Sequence, residues 1–193
     1  MFKSQIQKLL LLFCLCSSAS PAFAEQMHDK SDSKIVSDFL SANGNKIQKE
    51  TNLVYYCSYE KEYNRSKICS KITLILNDIS RDAENIEFIP INDVVPEVLN
   101  FLYVSTDPPE IEEKILQVAN SSEKTKLAEG CEALLFLLGG QKYVIFLLRE
   151  NVDLRSCVMK STLYYLGYRG LSKLKTDRSV NQVFGHIFKR KRG

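Results

Sequence analysis

The first 24 residues have the pattern of a secretory signal, and this sets the chemical environment in which the rest of the chain folds. Lys3 and Lys8 give a positively charged start, and residues 9–16 form a short apolar core. Ala22 and Ala24 place small residues at the two positions that a signal peptidase recognises. We therefore expect cleavage after Ala24 and a mature chain of 169 residues that is periplasmic or secreted.

The alternatives to a cleaved signal are a membrane span and a lipid anchor. The apolar core is too short to span a bilayer, which needs about 20 residues. Cys14 and Cys16 lie within the signal, but Phe13 and Leu15 precede them, where a lipid-modified cysteine requires a small residue. We expect neither a transmembrane span nor a lipid anchor.

The mature part contains four cysteines, which predict two disulfide bonds because an exported chain with an even number of cysteines is normally oxidised. Three pairings are possible, and we favour Cys57–Cys69 with Cys131–Cys157 because these close the shorter loops. Each bond is expected to stabilise the fold by about 3 kcal/mol. The alternative is a zinc site of four thiolates, which no closely spaced cysteine pair supports.

Length and charge predict one domain at residues 25–175, followed by a basic segment at 176–193. From residue 25 to 153 the chain has 22 acidic and 14 basic residues, a net charge of −8. From residue 155 onward it has ten basic residues and Asp177, a net charge of +9. The electropositive part of the protein is thus its last quarter.

The hydrophobic pattern predicts an α+β fold with a mixed or antiparallel sheet and helices packed on it. Apolar residues around 134–138 and 144–148, separated by glycines, predict a buried hairpin at the centre of the sheet. Residues 155–168 have helical spacing, and Gly167 is placed to end that helix. The other predicted elements are a polar disordered start at 25–33, a short helix at 33–40, strands at 52–59 and 68–76, a strand at 101–104 and a helix start at 106–110.

The side chains that commonly catalyse reactions are scarce after the signal. His28 and His186 are the two histidines, and neither falls in a predicted core element, as a zinc site or a nucleophile–histidine pair requires. Four glutamates offer a carboxylate pair, but acids on a solvated helix are rarely catalytic. These are Glu110, Glu112, Glu113 and Glu129. We expect no catalytic residue, no metal ligand and no cofactor.

The stretch from Gly130 to Gly167 resembles the second half of an exported bacterial family known as domain of unknown function 2927. The likeness rests on Cys131, the apolar hairpin, a helix with Cys157 near its start, and the Leu166-Gly167 ending, and it spans roughly residues 70–170. The resemblance implies a zincin-like scaffold. The alternative is that this helix is an ordinary core helix and the match is coincidental.

The Leu-Gly ending is also similar to that of the matrixin active-site helix, His-Glu-x-x-His-x-Leu-Gly. Aligned on that ending, Lys160, Ser161 and Tyr164 occupy the positions of the histidine, glutamate and histidine. These residues cannot form a zinc set, because a lysine ammonium would repel the metal. The resemblance therefore implies a scaffold without metal chemistry, and a metallohydrolase with atypical ligands is the alternative.

The basic run at the C-terminus, Lys189, Arg190, Lys191 and Arg192, is a candidate anion-binding segment. Phe184, Ile187 and Phe188 precede it and would supply an apolar face for a membrane surface. The alternative is a solvated tail. Together, these features predict an exported, non-catalytic protein that binds a protein partner or another envelope component.

Overall fold

The computed structural model describes residues 21–44, 51–59, 65–83, 85–104, 109–149 and 152–188. Most of the predicted signal and the basic run Lys189–Arg192 lie outside the described residues. Signal cleavage and anion binding therefore stay predictions. No helix in the described ranges has the length and apolar character needed to cross a membrane.

The fold is α+β, as predicted, with helices packed on a mixed sheet whose strand order is β2-β1-β3-β6-β5-β4. The first four strands in that order run parallel to their neighbours, and β5 and β4 extend the sheet as antiparallel strands. In chain order the described elements are α1 (Pro21–Ala42), β1 (Thr51–Tyr59), α2 (Arg65–Asp82), β2 (Ile86–Pro90), β3 (Leu99–Val104), α3 (Glu110–Val118), β4 (Ser121–Ala128), β5 (Cys131–Leu138), β6 (Gln141–Arg149), α4 (Leu154–Tyr165) and α5 (Asp177–Ile187).

The predicted hairpin is present as β5 and β6. Gly139 and Gly140 form its turn with φ values of +59° and +79°, a conformation that glycine adopts without steric cost. Residues 144–148 of β6 are all buried, because side chains on both faces of this strand are covered. As predicted, β6 lies in the interior of the sheet, next to β3.

The prediction of a strand at residues 68–76 is wrong, because this segment belongs to helix α2. Ile72, Leu76 and Ile79 are buried at helical spacing, whereas Leu74 is 63% exposed. Alternating isoleucines and leucines over a short window gave a period of two, although the longer segment has a period near 3.6. The bond between Cys57 and Cys69 therefore joins a strand to a helix.

The N-terminal segment also differs from its prediction, because a single helix, α1, covers Pro21–Ala42 in place of disorder followed by a short helix. Its C-terminal half packs on the core through Phe39 and Leu40. Asp32 accepts a hydrogen bond from the Thr176 hydroxyl at 3.0 Å. These contacts tie the start of the described chain to its end.

The segment from residue 176 does not form a separate body in the described structure. Helix α5 packs on the same core as the rest of the domain, and Val183, Ile187 and Phe188 are fully buried. The apolar face that we expected beside the basic run thus faces the protein interior, and it is not available to a membrane.

The two faces of the sheet are covered unequally. Helices α1, α2, α4 and α5 share one large hydrophobic core with the first face. On the second face, α3 is the described helix in contact with the sheet, through Ile111 and Ile115. Among the described residues, no helix covers the part of this second face that lies next to β1 and β3, where Tyr56, Ser58 and Leu102 are half-buried.

Candidate functional site

The three residues that align with the matrixin motif do not form a common site. The hydroxyl of Ser161 lies 4.0 Å from the sulfur of Cys131 and 3.9 Å from that of Cys157. Tyr164 faces elsewhere, with its hydroxyl 3.4 Å from that of Thr125. Its ring lies under the Arg169 guanidinium at 4.5 Å. Each side chain therefore has a separate structural partner.

The predicted cysteine pairs are both at disulfide distance, with Cα–Cα separations of 5.7 Å for Cys57–Cys69 and 5.8 Å for Cys131–Cys157. Cys131 and Cys157 are fully buried, and their bond fastens α4 to β5. A four-thiolate zinc site would need all four sulfurs at one place, which this pairing does not provide.

The third motif residue, Lys160, borders a polar cavity at the start of α4. Its ammonium donates a hydrogen bond to the carbonyl oxygen of Leu127 at 3.3 Å, and only 3% of the side chain is exposed. Burial lowers the pKa of Lys160, and the nearby carboxylates of Asp153 and Asp177 oppose that shift. The ammonium is therefore held by a carbonyl dipole and two acidic neighbours.

Asp153 and Asp177 lie at the N-termini of α4 and α5. Asp153 caps α4 by accepting a hydrogen bond from the backbone N–H of Ser156 at 3.3 Å. A hydrogen bond with Asp153, burial and the charge of Asp153 raise the pKa of Asp177, while Ser156 and Lys160 lower it. The cap of α4, Asp153, and the first residue of α5, Asp177, compensate a buried lysine, so this cluster is explained without a substrate.

Two of the four candidate glutamates, Glu112 and Glu129, form ion pairs with lysines. Glu112 lies 2.9 Å from the Lys124 ammonium, and Glu129 lies 2.7 Å from that of Lys126. Glu113 is exposed on α3. Among the described residues, no group of three histidine, cysteine, aspartate or glutamate side chains could hold a metal ion. His186 is exposed on α5, and His28 lies in α1.

A second cavity, of about 280 Å³, lies on the α3 side of the sheet, and we call it the α3-side cavity. Its lining residues come from five separate parts of the chain: Tyr56 and Ser58 of β1, Val94 between β2 and β3, Asn100, Phe101 and Leu102 of β3, Glu110, Ile111 and Lys114 of α3, and Ile145 of β6. Val94 stands at its rim and is 46% exposed.

The wall segment that carries Val94 is held at several points. The backbone N–H of Ile91 donates to the Tyr55 carbonyl at 2.9 Å, and that of Glu97 donates to the Lys142 carbonyl at 3.3 Å. The hydroxyl of Tyr165, at the end of α4, donates to the carbonyl of Glu97. These bonds fix the segment between β2 and β3, so the cavity wall is formed in advance of any ligand.

Asn100 is the unusual polar residue of this cavity. Side chains of β3 alternate between the sheet faces, so Leu99 and Phe101 enter the large core while Asn100 and Leu102 lie on the α3 side. Asn100 is 1% exposed, and its Oδ1 accepts no hydrogen bond from the described residues. Buried acceptors are normally satisfied, but this oxygen has under 1 Å² of accessible surface, so a ligand in the cavity would not reach it in this conformation.

Asn100 was not among the site residues predicted from the sequence, although a local signal exists. The residue interrupts the run Val98-Leu99-Asn100-Phe101-Leu102, in which the other members are apolar. A polar residue within a buried strand must find a partner, which makes it a candidate for a structural or binding role.

Comparisons of this chain with protein-family models, with curated proteins and with solved structures found no match. The resemblance of residues 130–167 to the exported bacterial family therefore stays a prediction.

Proposed function

We propose that this chain is an exported, non-catalytic binding protein and that a protein of the cell envelope is its partner. The sheet face that carries α3 would be the binding face. Two buried or half-buried disulfide pairs are compatible with an oxidising compartment, and they give a rigid body on which a binding face can be built.

The observation that supports this proposal best is the uneven covering of the sheet. Four helices cover one face, whereas α3 leaves the second face with the α3-side cavity. Apolar side chains are exposed near it and along α3: Val94 at 46%, Leu116 at 56% and Val118 at 60%. Exposed apolar side chains on one side of a protein are typical of a protein interaction site.

The alternative of a zincin-like metallohydrolase with atypical ligands has no comparable support. Lys160, Ser161 and Tyr164 are each engaged with a different structural partner in the described part of the chain. A binding function uses the α3-side cavity, and it needs no chemistry from α4.

Site-specific photo-cross-linking in the producing cell tests this proposal. A benzophenone amino acid at Val94 would report on the cavity rim, and one at Leu74 serves as control because Leu74 is 63% exposed on α2, over the opposite face. We expect a discrete envelope-protein adduct from position 94 and none from position 74. No adduct at position 94, or the same adduct at both positions, would contradict the proposed binding face.

A further inference from the structure

We propose that a groove between the start of α4 and the exposed side of α5 binds a phosphate group, either free or in the headgroup of an anionic phospholipid. The described lining residues of this groove, which we call the α4–α5 groove, are Arg155, Arg178, Asn181, Gln182 and Gly185. The inference goes beyond the proposed function, because α4 and α5 pack on the first face of the sheet and the proposed binding face is the second.

The described lining residues of the α4–α5 groove carry two positive charges and no negative charge. The guanidinium groups and the side-chain amides supply N–H donors, and the planar fork of a guanidinium matches the oxygens of a phosphate. The Arg155 side chain is 42% exposed, and Arg178 and Gln182 are exposed on α5. A ligand from solution can therefore reach these donors.

Acidic side chains of α2 do not cancel the charge of the groove. The Asp78 carboxylate lies 3.8 Å from the Arg155 guanidinium but 2.9 Å from that of Arg81. Asp82 also lies near Arg81, at 3.9 Å. Asp177, the acidic residue of α5, lines the polar cavity at the start of α4 and is not among the described lining residues of the groove. The groove therefore keeps a net positive charge.

Three residues of the groove are poorly suited to the helices that carry them. Arg155 and Arg178 each occupy the second position of a helix, where the helix dipole disfavours a positive charge. Gly185 lies within α5, where glycine is the least favourable residue after proline. Rules of local stability are broken mainly at functional sites. A bound anion would offset the unfavourable position of both arginines, and Gly185 adds no side chain that would fill the groove.

The arrangement of charge favours phosphate among the common anions. Arg155 and Arg178 approach the groove from two separate helices, so an anion with oxygens on several sides can contact both. The tetrahedral oxygens of a phosphate meet this requirement, whereas the oxygens of a carboxylate lie in one plane. The basic run Lys189–Arg192 follows α5 directly in the sequence and adds to the attraction for anions.

Titration of the purified mature protein with inorganic phosphate tests the inference. Nuclear magnetic resonance follows the backbone N–H of Gly185 and the side-chain amide of Gln182, with sodium chloride at equal ionic strength as the control. We expect saturable shifts with phosphate and no saturable shift with chloride. The absence of a saturable shift at both groups, or equal shifts with chloride, would overturn the inference.

Charge changes at exposed positions locate the site. Gln182→Glu places a carboxylate in the groove at nearly constant side-chain size, and we expect at least tenfold weaker phosphate binding. Gln117→Glu makes the same change at an exposed position of α3 and should leave the affinity unchanged. Equal losses in the two variants would mean that only the net charge of the protein matters, which would overturn the inference. Thermal unfolding establishes that both variants are folded.

Phospholipid vesicles distinguish the two sources of the phosphate. We expect Gln182→Glu to weaken binding to phosphatidylglycerol vesicles at least threefold relative to Gln117→Glu, because Lys189–Arg192 would contact neighbouring headgroups of the same surface. If Gln182→Glu lowers the affinity for phosphate and leaves vesicle binding unchanged, the groove binds a free phosphate compound and the inference stands. These measurements use no partner protein, so their outcome is independent of the cross-link from position 94.

Discussion

The ammonium group of Lys160 donates a hydrogen bond to the carbonyl oxygen of Leu127 across 3.3 Å, within a site where 3% of the lysine side chain is exposed. The hydrogen bond joins α4 to β4, and the ammonium stands at the position that aligns with the first histidine of the matrixin motif. Burial lowers the pKa of this lysine below its usual 10.5. The stability of the protein should therefore depend on pH in the alkaline range.

The sign of that dependence follows from proton binding. Between the folded-state pKa of Lys160 and 10.5, the unfolded chain holds a proton that the folded chain has released, so the free energy of unfolding rises with pH across this window. Lys160→Met removes this contribution, and we expect its stability to rise less than that of the wild type between pH 8 and pH 10. Urea unfolding at both pH values measures the difference.

Lys173→Met is the matched control, because it also removes a lysine but at an exposed position. Burial also raises the pKa of Tyr165, which makes an opposite contribution in both proteins and cancels in the comparison. If Lys160→Met and the wild type had the same pH dependence, Lys160 would be solvated and not buried.

The two disulfide bonds should differ in their contribution and their reactivity. Replacing Cys131 and Cys157 with alanine should lower the free energy of unfolding by about 2–5 kcal/mol, because the bond closes a 26-residue separation inside the core. Replacing Cys57 and Cys69 with alanine should lower the free energy of unfolding by less, since these cysteines are 12 residues apart and both are half-buried. Urea unfolding of the two double variants measures both decreases in the free energy of unfolding.

The order in which a reductant reaches the two disulfide bonds is an independent test of their different burial. With increasing dithiothreitol, alkylation and peptide mass spectrometry should detect Cys57 and Cys69 as free thiols before Cys131 and Cys157. Simultaneous reduction of all four, or prior reduction of the buried pair, would be inconsistent with the packing of α4 on β5.

The basic run predicts salt-dependent binding to anionic surfaces. Deleting residues 189–193 should weaken binding to phosphatidylglycerol vesicles at low salt, with each basic residue near the surface contributing about 1 kcal/mol. Vesicles of neutral phosphatidylcholine serve as the control, and flotation assays at increasing salt measure the effect. Unchanged binding after the deletion would assign no role to Lys189–Arg192.

Export predicts a defined N-terminus and a defined redox state. Intact-mass analysis of the protein recovered from its producing cell should give a chain that begins at Glu25, with Cys57, Cys69, Cys131 and Cys157 all oxidised. A chain that retains residues 1–24 and carries four free thiols would contradict both the localisation and the disulfide framework.

Strong local patterns predicted part of this fold. The β5–β6 hairpin has long apolar runs around a glycine turn, and α4 has clear helical spacing, with Gly167 ending it at φ +94°. Helix α2 was not predicted because, over the short window of residues 68–76, the apolar residues fit both the period of two of a strand and the period of about 3.6 of a helix. The longer run to Ile79 distinguishes them, since a strand would not bury Ile72, Leu76 and Ile79 together.

The α3-side cavity could not be predicted from any local pattern. Its walls combine Tyr56, Asn100, Ile111 and Ile145, which are brought together only by the order of the strands and the position of α3. Parallel pairing of β1, β3 and β6 depends on long-range contacts that a single sequence does not encode in its spacing. Of these four lining residues, only Asn100 stands out in the sequence, because it is a polar residue within an apolar run.

The outer strands β2 and β4 have a consequence for self-association. β4 carries Lys124 and Lys126 and shifts register between Lys126 and Ala128, while β2 is five residues long and ends at Pro90. Lysines, irregularities, short length and proline all discourage another chain from adding a strand to a sheet. Both edges of the described sheet are thus protected against edge-to-edge aggregation when the protein is concentrated.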